Sequence, residues 1–249
     1  MNSVQLKKFM TAFVIGAFAI SIPMSTSEGR IHDPKVKAIS SSDLRHGAKV
    51  EPTSAAGYDV SRYMPSSSTV SVDVPQTMSV ADQSIFGTPL ATQEQCVKYL
   101  LKNNPNPKIS VSPEEIVAYY YEEAGREGIR PDVAFAQALK ETGFFRYGGD
   151  VVPEQNNFCG LGTTGGGVKG GYFPTAQLGV RAHIQHLLAY TSTRRPTTPL
   201  VDPRYDIVRK VYGARTLSHW SDLNGRWAVP GNYYGQEILS MFRAIINIR

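Results

Sequence analysis

Glu141 stands near the end of the run Phe135-Ala-Gln-Ala-Leu-Lys-Glu-Thr-Gly143, in which helix-forming residues give way to a glycine suited to the left-handed end of a helix. In the last turn of such a helix the carbonyl end of the macrodipole disfavours an ionised carboxylate, and Phe144 and Phe145 follow as candidate desolvating walls. Both effects push a carboxyl pKa upward. A carboxylic acid that keeps its proton near neutral pH is what protonation of a glycosidic leaving oxygen requires. Most glutamates near helix ends are simply solvated, so on local grounds Glu141 is a candidate general acid and no more.

Other side chains could serve the same chemistry. Gln137 stands four residues before Glu141 on the same helical face, where it could hydrogen-bond Glu141 or a bound sugar, or be an exposed polar residue. Glu154, Gln155, Asn156 and Asn157 precede a glycine-rich stretch and offer donors and acceptors suited to N-acetyl and hydroxyl groups; the commoner use of such residues is a turn. Trp227, Tyr233 and Tyr234 carry apolar faces with polar tips that could stack on sugar rings, with core packing the expected role of at least one. Tyr234 is the catalytic candidate of the three, because its phenol could bond the reacting sugar or the attacking group.

Several alternative chemistries fail on their residues. Gly162 to Lys169 lacks the Gly-Lys-Ser/Thr ending of a phosphate-binding loop, and no Gly-x-Ser-x-Gly elbow is present. His183 and His186 are three apart on an expected helix with no acid at metal-site spacing, so they read as core or surface histidines and no metal or cofactor is implied. Cys159 lies among glycines with nothing to activate a thiol. Cys96 and Cys159 are the only cysteines, and either one disulfide or two buried thiols fits them.

The elements that must position these residues are helices. Thr92 and Gln95 stand in capping-box register before a helix that ends in Asn103-Asn104-Pro105, and Ser112-Pro113-Glu114-Glu115 is a stronger start for a helix ended by Gly128. Pro131 and Asp132 open the helix bearing Glu141, and Ala134, Ala136 and Ala138 keep it slim, as a central helix requires. Helices are also expected over Ala176 to Tyr190 and Tyr234 to Ile248, and the stretch from Phe158 to Phe173 reads as a small β-hairpin or irregular lobe.

Before this domain, Lys7 and Lys8 precede an apolar stretch from Phe9 to Ile22, the pattern of a signal peptide or N-terminal anchor over residues 1–24. Residues 25–84 are rich in Ser, Thr and Pro and read as a flexible tether, with room for one short strand around Val70 to Val74. The chain therefore divides into leader, tether and a domain over 85–249, exported to the cell wall, cell surface or periplasm. Its formal charge of +5 is spread along all 249 residues with no basic block, which argues against nucleic acid and fits a wall polymer, a membrane surface or mere solubilising charge.

From about Ile85 to Arg249 the chain resembles the glucosaminidase domain of glycoside hydrolase family 73, the bacterial endo-β-N-acetylglucosaminidases that cut peptidoglycan. The likeness rests on IRPDVAFAQALKETGFF, EQNNFCGLG, YFPTAQLGVRAHIQHLLAY and GRWAVPGNYYGQEIL, in the order that family places them. It implies a mainly α, lysozyme-like fold with the catalytic glutamate, here Glu141, ending a central helix and facing a groove whose other wall is a small β-hairpin lobe. It also implies that Asn156, Asn157, Phe158 and Gly160 lie beside the groove, and that Tyr234 is the tyrosine of a terminal Tyr-x-x-x-Ile motif. Gln137, Glu154, Trp227 and Tyr233 complete the expected substrate-binding set.

One departure bears on mechanism. Some family members carry a second acid in the lobe, whereas this sequence has no Asp or Glu between Phe158 and Leu200. Glu154 or Asp150 could activate water, a distant acid such as Asp202 could fold in, or the substrate's own 2-acetamido group could attack the anomeric carbon. The last route is preferred. The expectation is hydrolysis of peptidoglycan after N-acetylglucosamine by a monomer tethered at its N-terminal segment. The rivals are a lytic transglycosylase or muramidase of the same fold and a wall-binding protein without activity.

Overall fold

The structure, a computed structural model, describes residues 83–229 and 231–249. The leader, nearly all of the tether and the strand expected around Val70 to Val74 lie outside the described residues. Among those described there are six α-helices: α1 (Gln93–Asn103), α2 (Pro113–Glu127), α3 (Pro131–Thr142), α4 (Ala176–Thr191), α5 (Tyr205–Tyr212) and α6 (Tyr234–Ile246). None of them is long and apolar enough to cross a membrane.

The start and stop signals act as their chemistry dictates. Thr92 Oγ1 accepts from Gln95 N at 3.1 Å while Gln95 Oε1 accepts from Thr92 N at 2.9 Å, closing the capping box of α1. Ser112 and Glu115 do the same for α2, and Gly128 ends that helix in the left-handed region at φ 69°. Asp132 does more than complement a dipole: its Oδ2 accepts from the amides of Leu90 and Ala91 and pairs with Arg130, whose guanidinium lies 4.6 Å from the Phe242 ring centroid. The start of α3 is thereby tied both to the segment before α1 and to α6.

Helix α3 is central. Every residue from Pro131 to Leu139 is buried, and the alanines let α1, α2 and α6 pack around it while α4 packs on α2. α6 ends at Ile246, two residues short of the expected Ile248.

Helix α5 and a 3-10 turn at Trp220–Leu223 have no counterpart in the sequence reading. The signal for α5 was present: Tyr205, Val208 and Tyr212 recur at helical spacing, and all three are buried. The expected β-hairpin does not form. Between Phe158 and Phe173 the one pairing is an isolated bridge between Gly165 and Val168. Positive φ at Gly162, Gly165, Gly166, Gly167 and Gly170 curls the backbone out of the extended region that a strand pair needs. The lobe is irregular.

Cys96 and Cys159 are both free and buried, so of the two readings the structure has the pair of thiols. Burial, together with the charges of Glu141 and Asp202, pushes the Cys159 thiol well above its ordinary value, which removes it as a nucleophile.

Candidate active site

Glu141 sits half-buried in the last turn of α3, next to a tightly curled stretch of backbone. Gly143, Phe144 and Phe145 take φ of 59°, 59° and 56°, three successive left-handed residues. Each such conformation costs a non-glycine residue about 1–2 kcal/mol, so the surroundings must hold it. They do. Phe145 N donates to Thr142 Oγ1 at 2.9 Å, Asn104 Nδ2 to the Phe144 carbonyl at 2.8 Å and Lys108 N to the Phe145 carbonyl at 2.9 Å.

This turn decides where the two phenylalanines pack. It folds Phe145 beneath the helix, fully buried between Phe135 and Phe158, and lays Phe144 against Tyr99. Both rings anchor the end of α3.

Tyr234, first residue of α6, donates its phenolic hydrogen to Glu141 Oε1, across 93 residues of chain. Gln137 Nε2 donates to the same phenol oxygen at 2.8 Å. Behind it, His183 Nε2 meets Gln137 Oε1 at 3.0 Å, and His183 Nδ1 meets the Tyr120 hydroxyl at 2.9 Å. A buried chain of hydrogen bonds thus runs from α2 through α4, α3 and α6 to Glu141. Tyr234 reaches its place because Gly235 lies against the Trp220 carbonyl, where an added Cβ would come within 2.2 Å of that oxygen, and because Asn224 Oδ1 accepts from Gly235 N at 2.7 Å.

The asparagine cluster is placed differently from expectation. Asn156 Nδ2 donates to the Phe173 carbonyl and its Oδ1 accepts from Ser110. Asn157 Nδ2 donates to the carbonyls of Leu161 and Gly171 while its Oδ1 accepts from Leu161 N. Gln155 bonds Val152 N and the carbonyls of Lys169 and Gly171. These amides hold the lobe together and face inward, because a segment without a strand ladder must satisfy its backbone through side chains.

Three other expected contacts with substrate are likewise internal. Phe158 and Trp227 are each about 1 % exposed, and Trp227 packs against His183, His186 and Tyr190. Gln137 is buried and spent on Tyr234 and His183. Gly160 is partly exposed at φ 67°, Glu154 is exposed, and Tyr233 is 67 % exposed beside Tyr234. Tyr172, equally exposed in the lobe, was not singled out from sequence; the neighbouring amides of Gly171 and Phe173 bond inward.

Of the acids considered as partners to Glu141, Asp202 does fold in, but onto His186 at 2.9 Å in the core, with no access to solvent for activating water. Asp150 accepts from Gly167 N at 3.0 Å and so pins the tip of the lobe. Among the described residues no group of three or more His, Cys, Asp or Glu side chains is arranged to hold a metal ion.

Comparison with known proteins bears on this arrangement directly. Residues 117–246 match the glucosaminidase family model, whose description is mannosyl-glycoprotein endo-beta-N-acetylglucosaminidase. The chain belongs to the glucosaminidase family. The matched span takes in α3 with Glu141, the lobe, and α6 with Tyr234, and all five residues of the hydrogen-bonded chain from Tyr120 to Glu141 lie within it. The domain is also similar to an uncharacterized protein of Borreliella burgdorferi, with 39% identity over 136 residues. That match covers 54% of this chain and 64% of the relative, so the chain spans less than two thirds of the relative's length. No solved structure gives a significant match.

Proposed function

We propose that the chain hydrolyses the β-1,4 bond on the reducing side of N-acetylglucosamine in peptidoglycan, with Glu141 as general acid. The observation that carries this reading is the Tyr234 hydrogen bond to Glu141, which fixes an otherwise half-exposed carboxyl group at the end of the central helix. Because Oε1 accepts from Tyr234, the acid's proton belongs on Oε2. From there it passes to the glycosidic oxygen as the bond to the anomeric carbon breaks.

Asp202 lies in the core and Asp150 holds the lobe, which leaves exposed Glu154 or the substrate itself, and in this reading the attacking group is the substrate's 2-acetamido oxygen. It bonds the anomeric carbon as the leaving oxygen takes the proton. Water then opens the ring so formed, giving its proton to the Glu141 carboxylate and returning the anomeric centre to its first configuration. Tyr233, exposed next to Tyr234, offers an aromatic face for stacking on a sugar ring, as does Tyr172 in the lobe, whereas Trp227 lies in the core. The N-terminal leader and tether would carry this domain, acting as a monomer, to the cell wall, cell surface or periplasm.

Mass spectrometry of digested sacculi tests the bond cleaved. New reducing N-acetylglucosamine ends are expected; anhydromuramic ends would assign a lytic transglycosylase, and an absence of new ends a wall-binding protein. The anomer first released from a defined glycan tests the route: retention is expected, and inversion would transfer the role of base to Glu154.

A further inference from the structure

We infer that His183 is a positioning residue, which through the Gln137 carboxamide sets the Tyr234 hydroxyl as a donor to Glu141. The inference rests on the reading of Glu141 as the acid.

The direction of the chain follows from its far end. Tyr120 is fully buried, and burial pushes its phenol well above the ordinary value, so it keeps its hydrogen. The Tyr120 oxygen stands 2.9 Å from His183 Nδ1, and the phenol hydrogen is set toward that nitrogen because a buried hydroxyl must place its hydrogen on an acceptor. A neutral imidazole accepting at one nitrogen carries its proton on the other, so Nε2–H donates to Gln137 Oε1 at 3.0 Å. An imidazolium would donate from Nδ1 to the Tyr120 oxygen and turn the phenol hydrogen away, leaving that buried hydrogen without its acceptor. With its oxygen held by His183, Gln137 must turn its NH2 group toward the Tyr234 oxygen, 2.8 Å away. The Tyr234 hydrogen is then directed at Glu141 Oε1.

The reverse setting shows what is at stake. If His183 carried its proton on Nδ1, the Gln137 amide would rotate, Tyr234 would donate to Gln137, and Glu141 would lose its donor. Packing guards against a change of ring position: the His183 ring lies edge-on to Tyr120 at 5.7 Å and tilted to Trp227 at 5.7 Å. A core that needed only stability would be served as well by apolar side chains here. The polar chain instead crosses four helices and ends on Glu141.

The test uses the full chain and two readouts. Nitrogen-15 spectra of the imidazole ring are expected to show His183 protonated on Nε2; protonation on Nδ1 alone overturns the inference. On soluble peptidoglycan fragments, His183→Phe is expected to lower kcat about tenfold or more with KM changed less than about threefold, as a misplaced catalytic group does. His183→Gln, which keeps a donor near the Nε2 position, is expected to recover most of that loss. Wild-type kcat for His183→Phe, or equal losses in the two variants, overturns the inference. Should His183→Phe not fold, the near-isosteric Gln137→Glu offers Tyr234 a competing acceptor and is expected to lower kcat likewise; unchanged kcat overturns the inference. Full activity in Glu141→Gln would instead sink the reading of the acid, while the ring spectrum, which needs no activity, still decides the direction set by His183.

Discussion

The helical bundle and the glycine-rich lobe use buried amides for opposite purposes. In the bundle, helices satisfy their own backbone, so the Gln137 amide is released to link side chains, Tyr234 on one side and His183 on the other. In the lobe no ladder exists, and Gln155, Asn156 and Asn157 are consumed by backbone groups at Val152, Leu161, Lys169, Gly171 and Phe173. The same functional group thus carries orientation in one region and structural integrity in the other. Each region also docks through a glycine: Gly235 accepts the Trp220 backbone, and Gly179 accepts that of Asn156, whose carbonyl oxygen an added Cβ would approach to 1.8 Å.

That contrast can be broken most sharply at Glu141. Glu141→Gln is expected to lower turnover by about 10²- to 10⁴-fold while leaving the melting temperature unchanged, read by zymography and thermal denaturation. A mutant that clears the wall as well as the wild type removes Glu141 as the acid. Gly235→Ala shifts Tyr234 and should cost turnover about 10²-fold, because a displacement near 1 Å is enough.

Gly179→Ala pushes the lobe from α4 and should destabilise by about 1–3 kcal/mol through overpacking, with KM affected more than kcat. If the two glycine variants gave the same kinetic signature, the division of labour would be wrong. Asn157→Ala should cost about 1–3 kcal/mol by orphaning Leu161 N and taking one of two donors from the Leu161 and Gly171 carbonyls, seen as early amide exchange confined to the lobe.

The smallest effect concerns the thiols. Burial pushes Cys96 up to about 12 and Cys159 well above its ordinary value, so both remain protonated at pH 8. A disulfide reagent should label neither in the native protein and both after unfolding. Rapid native labelling of Cys159 would show the lobe to open more readily than its hydrogen bonds suggest.

Much of the fold was legible because its signals are local. The capping boxes at Thr92 and Ser112, the stop at Gly128 and the slim helix of alternating alanines each depend on residues within a turn or two of one another. Of the two readings of the lobe, hairpin or irregular, the irregular one holds, because its order comes from side-chain amides reaching carbonyls, not from strand periodicity. Trp227 and Phe158 offer aromatic faces in sequence, yet which faces meet solvent depends on how distant helices stack.

By itself the sequence determined the family, the helix that ends in Glu141 and the residues competent to act with it. Only the tertiary structure decided which of them meet Glu141. Tyr234 lies 93 residues from Glu141, and Tyr120 lies 63 from His183. A hydrogen bond reads ångströms and angles, and those are fixed across such separations by packing rather than by spacing along the chain.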